Sequence, residues 1–330
     1  MEKYSQYRDR ATGIAPFLPV STPPSAVTTL THGLLFCVRL PLFLTYVASY
    51  LLFFHWLPLP VFVRKIALWG MMAIPGIWWV DLQLDGVKRG TLSEQPRERV
   101  PHPGSVIAAN FTSPIDAVYL AAVFDPVFTQ SFPGTRKVRQ IGLVRAALMA
   151  LAPVRAAPPP HPRPGELVTL AELLERNPDR VVAVFPECGT TNGKAILPLA
   201  HSLLPTPPDV HIFPVSIRYT PPDVTTPIPG RWAHFLWNLL SRPTTCVRVR
   251  IAGSQGNTAT AQTNGTGGQG LVYRGGGGGD DDVDDGVTLD EQRLLDMVGE
   301  ALARLSRVKR VSLTMREKAD FVRVWNGKKA

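Results

Sequence analysis

Three cysteines in 330 residues, Cys37, Cys188 and Cys246, are too few and too far apart for a disulfide framework, which excludes a small secreted scaffold held by bridges. They suit a reducing compartment. Zinc-finger cysteine spacing is absent, as is any aromatic-basic nucleic-acid module. The formal net charge of +9 therefore points away from DNA or RNA and towards anionic lipid. The first 31 residues lack the basic stretch followed at once by an apolar run that marks a cleavable signal peptide. Formal charge is missing from Leu40 to Leu57, an apolar run of about 18 residues at the lower limit for crossing a bilayer.

What is present is apolar and unevenly spread. Mean hydropathy is +0.05 despite 32 Pro and 27 Gly, so the apolar residues are concentrated in a few segments. After Pro58 and Pro60 come Arg64 and Lys65, then Ile66–Val80, about 15 apolar residues and too short to span. Arg39 precedes the first segment, and Tyr46, Tyr50, Trp56, Trp69, Trp78 and Trp79 crowd the segment ends. This pattern predicts a membrane-inserted helical hairpin over 32–80 that dips into one leaflet, its cations snorkelling to the headgroups. Two buried core helices are the alternative. Residues 1–31 are expected to form a polar segment, ordered in part at most.

Downstream, strand and helix periods alternate. Val80–Gly86 alternates Val80, Leu82 and Leu84 with Asp81, Gln83 and Asp85, the period of a half-buried strand. Ser105–Ala109 is a short apolar strand, after which Ser113 serves as N-cap, Pro114 takes the first helical position and Asp116 falls three after the cap. Helices are predicted over Ile141–Ala152 and Leu167–Glu175, joined by a Pro-rich linker, Ala156–Pro164. Further strands are predicted at Val181–Phe185, His211–Tyr219 and Cys246–Ile251. This order implies an α/β fold over 81–254, a mixed sheet flanked by helices. Residues 255–287 are rich in Gly and Asp and are expected to be a disordered insertion. The Gly275–Gly279 run is followed by no Gly-Lys-Ser/Thr, and Asp280–Asp285 lack EF-hand spacing. Residues 288–330 should be amphipathic helices opening on a Thr288–Glu291 capping box. Their Arg304, Arg307, Lys309, Arg310, Arg316 and Lys318 would face solvent or anionic headgroups.

Two motifs carry chemistry, each directly after a predicted strand. The first is Asn110-Phe111-Thr112-Ser113-Pro114-Ile115-Asp116; the second is Phe185-Pro186-Glu187-Cys188-Gly189-Thr190-Thr191-Asn192-Gly193-Lys194. Ser113–Asp116 has a purely structural account as a capping box, and Gly189 and Gly193 permit close backbone approach to a ligand. Together the motifs resemble the glycerolipid acyltransferase family, whose blocks read Asn-His-x-Ser-x-x-Asp and Phe-Pro-Glu-Gly-Thr. Phe213–Tyr219 looks like that family's last strand, and the turn from Leu84 to Gly90 fits too. The N-terminal Met-Glu-Lys-Tyr and Gly13–Pro19 resemble a narrower fungal branch, the lysophosphatidic acid:oleoyl-CoA acyltransferases of endoplasmic reticulum and lipid droplets. The chain departs from the family in three places. Phe111 stands at the catalytic histidine, Cys188 is inserted between Glu187 and Gly189, and Thr190-Thr191 occupies the place where an arginine often follows.

The resemblance implies a glycerolipid acyltransferase-like fold and transfer of an acyl chain from acyl-CoA to lysophosphatidate, forming phosphatidate in glycerolipid synthesis. It implies Asp116 as the catalytic carboxylate and Glu187, Gly189, Thr190, Asn192, Gly193 and Lys194 as substrate-binding, with Lys194 the nearest cation for the phosphate. Acyl-CoA is then a co-substrate, the lysolipid and the membrane are partners, and no metal, bound cofactor or nucleic acid is needed. The implied location is the endoplasmic reticulum membrane and lipid droplets, with the catalytic domain cytosolic. Phe111 cannot take a proton, so the base is open: Asp116, if desolvation raises its pKa, and His102 come first, then His201, His211 and Cys188. Two other readings stand. A catalytically silent lipid-binding or scaffold protein is favoured by Phe111, and an acyltransferase for another lysophospholipid fits the remaining motifs. Asn110 and Asn264 match glycosylation sequons and are expected to be unused.

Overall fold

The computed structural model describes residues 2–20, 26–54, 57, 60–87, 97–159, 163, 165–257 and 286–327. Residues 88–90 of the predicted turn, parts of the Pro-rich linker, and 258–285 of the insertion, with Asn264 and Asp280–Asp285, lie outside these. A 3-10 helix (Glu2–Tyr7) precedes α1 (Ala26–Ser49), which runs on as a π-helical turn (Tyr50–Phe54), then α2 (Val61–Ala73) and β1 (Trp79–Leu84). There follow β2 (Val106–Ala109), α3 (Pro114–Phe124), β3 (Val127–Ser131), β4 (Val138–Ile141), α4 (Leu143–Met149), α5 (Leu170–Arg176), β5 (Val182–Val184) and β6 (Ala195–Ile196). After these come β7 (Ile212–Thr220), α6 (Trp232–Ser241), β8 (Cys246–Ile251), α7 (Leu289–Ser306), β9 (Lys309–Arg310) and α8 (Met315–Trp325).

Seven strands form one mixed sheet in the order β1-β8-β7-β2-β5-β3-β4, parallel except where β8 meets β7 and β3 meets β4. The central strands are apolar on both faces, as strands covered by helices on both sides must be. Ile107, Ala109, Ala183, Phe213 and Val215 face one core with α2, α3, α4 and α6. Their neighbours Val106, Ala108, Val182, Val184 and Ile212 face a second core with α5 and α7. The result is a three-layer α/β/α sandwich with a mixed sheet, as the strand and helix periods imply. A two-stranded β6–β9 ribbon lies beside a third cluster that joins Tyr7, Phe17, Leu313, Met315 and Phe321. Val106 stands opposite both Val182 and Ile212. That register brings the chain leaving β2 beside the chain leaving β5, at the carboxyl ends of parallel strands where open α/β sheets place ligands.

Several expectations change. Helix α1 begins inside the segment expected to be polar, because Arg39 interrupts a longer apolar helix rather than preceding one. Thr28–Phe53 is long and apolar enough, by length and composition, to cross a membrane. The second apolar run divides: α2 ends at Ala73, the chain turns at Gly76 (φ 85°), and Trp79 and Val80 enter the sheet. A Cβ at Gly76 would lie 2.5 Å from the Pro243 carbonyl, so this turn takes no other residue without moving. The flanking cations bond to the protein itself. The Arg39 guanidinium donates to the carbonyls of Pro75, Arg242 and Pro243, tying α1 to the end of α6. Arg64 pairs with Asp125, and Lys65 donates to the Val123 carbonyl at 2.6 Å, tying α2 to the end of α3. Tyr50 is buried and Tyr46 donates to the Ala67 carbonyl, so both pack within the protein.

The helix predicted over Ile141–Ala152 contracts to α4, because Val138–Ile141 pairs with β3. Gln255 and Asn257, placed in the insertion, are ordered: Gln255 bridges Ile212, and the Asn257 amide donates to the carbonyls of Leu204 and Thr206. Residues 2–20 are ordered throughout the described segment. Asp9 accepts from the backbone and hydroxyl of Ser312 and from Thr12, while Tyr4, Tyr7 and Phe17 surround Phe321. Those bonds hold the Asp9 carboxyl well below the usual carboxylate range.

Candidate active site

The first motif folds as its residue types require. Ser113 caps α3 in extended geometry, Pro114 starts the helix and Asp116 closes the capping box. Asp116 Oδ2 accepts from the backbone N–H of Thr112 at 2.6 Å, from that of Ser113 at 2.9 Å and from the Thr112 hydroxyl at 3.2 Å. Its Oδ1 takes the Tyr219 hydroxyl. The carboxyl group is fully buried, and burial outweighs these bonds to raise its pKa to about 6. Asn110 spans to β7 with both ends of its amide, donating to the Ile217 carbonyl and accepting from the Ile217 N–H. With its amide so committed and buried, Asn110 offers no glycan acceptor. Phe111 is fully buried and stacks on Phe185, ring centroids 4.4 Å apart. An aromatic pair thus joins the two motifs through the core.

The second motif leaves β5 and crosses under the first. Thr191 donates its N–H to the Phe111 carbonyl at 3.1 Å. The buried Glu187 carboxylate accepts from the backbone N–H groups of Leu197 at 3.0 Å and Phe111 at 3.4 Å, and burial raises its pKa to about 7. Cys188 adopts φ 59°, and burial pushes its thiol pKa upward, against a role as base or nucleophile. The Thr190 hydroxyl donates to the Thr226 carbonyl at 2.6 Å. The Asn192 amide donates to the carbonyls of Ala15 and Leu18 at 2.8 Å each, so it anchors the N-terminal segment. Gly193 turns at φ 71°, and Lys194 is exposed.

One cavity of about 120 Å³ opens on this loop, lined by Cys188, Gly189 and Thr190 and by Gln130, Arg145, Met149, Arg155, Met315 and Lys318. Lys194 does not line it. The cations beside the loop are therefore Arg145, Arg155 and Lys318. Arg145 was read only as part of an apolar helix, and Lys318 as one of a basic surface set. Neither reading could show that α4 and α8 converge on the 187–190 loop. Lys318 is buried, not facing solvent or headgroups. Its Nζ donates to the Thr190 carbonyl at 2.6 Å and the Thr190 hydroxyl oxygen at 3.2 Å. Burial lowers its pKa to about 7 against the pull of Glu187.

Two of the histidine candidates lie elsewhere. His102 and His211 contact one another and Phe213 at the amino ends of β2 and β7, across the length of the strands from both motifs. Among the described residues, no histidine lines the cavity beside the second motif.

No protein-family model matches the chain. Over 236 residues it is 25% identical to a putative lysophosphatidic acid:oleoyl-CoA acyltransferase of Schizosaccharomyces pombe, covering 70% of this chain and 77% of that protein. Over 211 residues it is 25% identical to lysophosphatidic acid:oleoyl-CoA acyltransferase 1 of Saccharomyces cerevisiae, covering 61% of each. A crystal structure of the 1-acyl-sn-glycerophosphate acyltransferase PlsC from Thermotoga maritima aligns over 85% of this chain and 95% of its own, with 16% identity and a TM-score of 0.40. The likeness first read from two short motifs thus extends over most of the chain, to lysophosphatidic acid:oleoyl-CoA acyltransferases of two yeasts.

Proposed function

We propose that this protein is an acyl-CoA-dependent O-acyltransferase that converts lysophosphatidate to phosphatidate. The observation that carries the reading is the cavity beyond the carboxyl end of β5. There the Glu187–Thr190 loop meets Arg145, Arg155 and Lys318, in a chain similar to proteins named for this reaction. Two exposed guanidinium groups beside a Gly-Thr backbone suit a phosphate monoester, which arginine meets with paired N–H donors. Asp116 and Glu187 are buried and bonded to the backbone of both motifs, so they serve as positioning groups that hold the two loops together. Acyl transfer from a thioester needs a base, donors for the carbonyl oxygen and cations for the acceptor. Acyl-CoA as co-substrate then suffices, with no bound cofactor.

Membrane attachment belongs to the same reading. Leu34, Leu42, Phe53 and Phe62 on and between α1 and α2 are exposed, and Trp78 and Trp79 are each 71% exposed at the start of β1. A surface this apolar needs a partner, and the lipid phase that holds both acyl chains is the one this chemistry requires. The α1–α2 pair would lie in the cytosolic leaflet of endoplasmic reticulum or droplet surface, with the sheet domain in the cytosol.

The test is acyl transfer by purified full-length protein in phosphatidylcholine vesicles, with labelled lysophosphatidate and a neutral-headgroup lysolipid offered side by side. Phosphatidate should form, and Arg145→Ala should raise the Michaelis constant for lysophosphatidate by roughly 5- to 150-fold, from loss of about 1–3 kcal/mol of charge-assisted bonding. The neutral acceptor should be little affected. Transfer to the neutral acceptor alone would move the substrate to another lysophospholipid, and no transfer at all would leave a silent lipid-binding protein.

A further inference from the structure

Among the described residues no imidazole lines the cavity, yet acyl transfer needs somewhere for the hydroxyl proton to go. We propose that Lys318 of α8 is the general base, taking the proton of the acceptor hydroxyl in place of the absent histidine. This rests on the acyl-transfer reading above.

The geometry begins with hydrogen-bond counting. The Thr190 hydroxyl spends its proton on the Thr226 carbonyl, so towards Lys318 its oxygen can only accept. Lys318 Nζ therefore donates to the Thr190 carbonyl and to the Thr190 hydroxyl oxygen. A neutral amine has two N–H groups, and these two bonds use both. What remains on the nitrogen is its lone pair, in a group that lines the cavity beside Gly189. Gly189 has no side chain to fill that space: a Cβ there would lie 3.4 Å from Lys318 Nζ and 2.3 Å from Met315 Cε. The amine is held rigidly. Met315, Lys318 and Phe321 share the buried face of α8, and Phe321 is gripped by Tyr4, Tyr7 and Phe17 of the N-terminal segment.

Electrostatics keeps the amine available. Burial favours the neutral form and brings its pKa to about 7, where a general base works best. The charged and titratable groups around the cavity act in both directions. Glu187 favours the ammonium form against the effect of burial, Arg145 and Arg155 line the same cavity, and Cys188 stays a thiol. The step then balances. The acceptor oxygen attacks the thioester carbonyl carbon as its proton passes to Nζ, giving a tetrahedral intermediate and an ammonium. The C–S bond breaks, the CoA thiolate leaves, and the ammonium returns the proton to that sulfur, so ester and thiol are the products and Lys318 is neutral again.

Two measurements on full-length protein test this. In the first, Lys318→Arg and Lys318→Met are assayed with acyl-CoA and labelled lysophosphatidate, and Lys318→Ala is assayed with added primary alkylamines. Both substitutions should lower kcat by about 10²–10⁴-fold, the usual worth of a general base. The alkylamines should restore turnover in proportion to their free-base concentration. A wild type that transfers acyl groups, with Lys318→Met or Lys318→Arg within about threefold of its kcat, overturns the base assignment and leaves the acyl-transfer reading standing. A wild type that transfers nothing overturns both. The second measurement uses wild type alone, so it does not depend on variants that fold. Competitive labelling of amines with acetic anhydride across pH gives the titration of Lys318, and the acidic limb of kcat/KM should have the same midpoint. Midpoints more than about one pH unit apart would refute the proposal.

Discussion

Phe111→His places an imidazole where the Phe111 ring stacks on Phe185 at 4.4 Å between centroids in a fully buried position. Restoring the motif's residue does not restore its partner. Asp116 Oδ2 already accepts three donors from Thr112 and Ser113, and Oδ1 holds the Tyr219 hydroxyl. The new ring loses an aromatic pair worth about 0.5–1.5 kcal/mol and buries an N–H without an acceptor, costing about 1–3 kcal/mol. Together that is about 3 kcal/mol, or a fall of roughly 6–12 °C in thermal midpoint for a domain of this size. Adding Tyr219→Phe frees Oδ1. The double variant should then be more stable than the sum of the single effects by about 0.5–3 kcal/mol, because imidazole and carboxylate can pair. Thermal midpoints of the four proteins in the same detergent, with initial rates of acyl transfer, complete the cycle. If Phe111→His alone matched wild type in stability and exceeded its rate by about 10²-fold, an imidazole at 111 would already reach Asp116. The claim that the Tyr219 hydroxyl holds the Asp116 oxygen that such an imidazole would need would then be wrong.

The sheet and the pairing of the motifs were legible because they are local or periodic. Alternation over Val80–Leu84 and Cys246–Ile251 identified the two strands that the fold pairs at one edge. Ser113, Pro114 and Asp116 identify a helix start by their own hydrogen-bonding capacity. The rest depended on contacts between distant segments. Thr129, Gln130 and Ser131 read as polar, and β3 is buried only because β4 and β5 flank it. Lys318 has the composition of a surface residue on an 11-residue amphipathic helix, and its burial follows from docking against the 187–190 loop. Arg39, Arg64 and Lys65 looked like headgroup ligands because their carbonyl and carboxylate partners lie far along the chain.

Other outcomes follow from the same contacts. Lys194→Ala should leave the Michaelis constant for lysophosphatidate almost unchanged, since Lys194 is exposed and does not line the cavity; an effect as large as that of Arg145→Ala would place it in the phosphate site. Asp9→Ala should lower the thermal midpoint through loss of charge-assisted bonds worth about 1.5–3 kcal/mol each, and should lower kcat too because α8 loosens. Trp78→Ser with Trp79→Ser should weaken vesicle binding in flotation assays by at least about tenfold, from about 1.5–3 kcal/mol of apolar burial per side chain. The Asp116 carboxyl is raised from 3.8 to about 6, so the stability it contributes is present below pH 4 and lost as pH rises through about 6. Asp116→Asn should flatten that part of a thermal-midpoint profile by an amount of order 3 kcal/mol.

The central claim is that this chain makes phosphatidate without an imidazole at position 111. The direct measurement is the initial rate of labelled phosphatidate formation by purified wild type and by Phe111→Leu, at equal folded concentration. The expected result is clear turnover by wild type and a rate within about threefold for Phe111→Leu, a substitution that changes packing alone. Wild type that released no thiol and formed no phosphatidate, at any pH from 6 to 9, would contradict it.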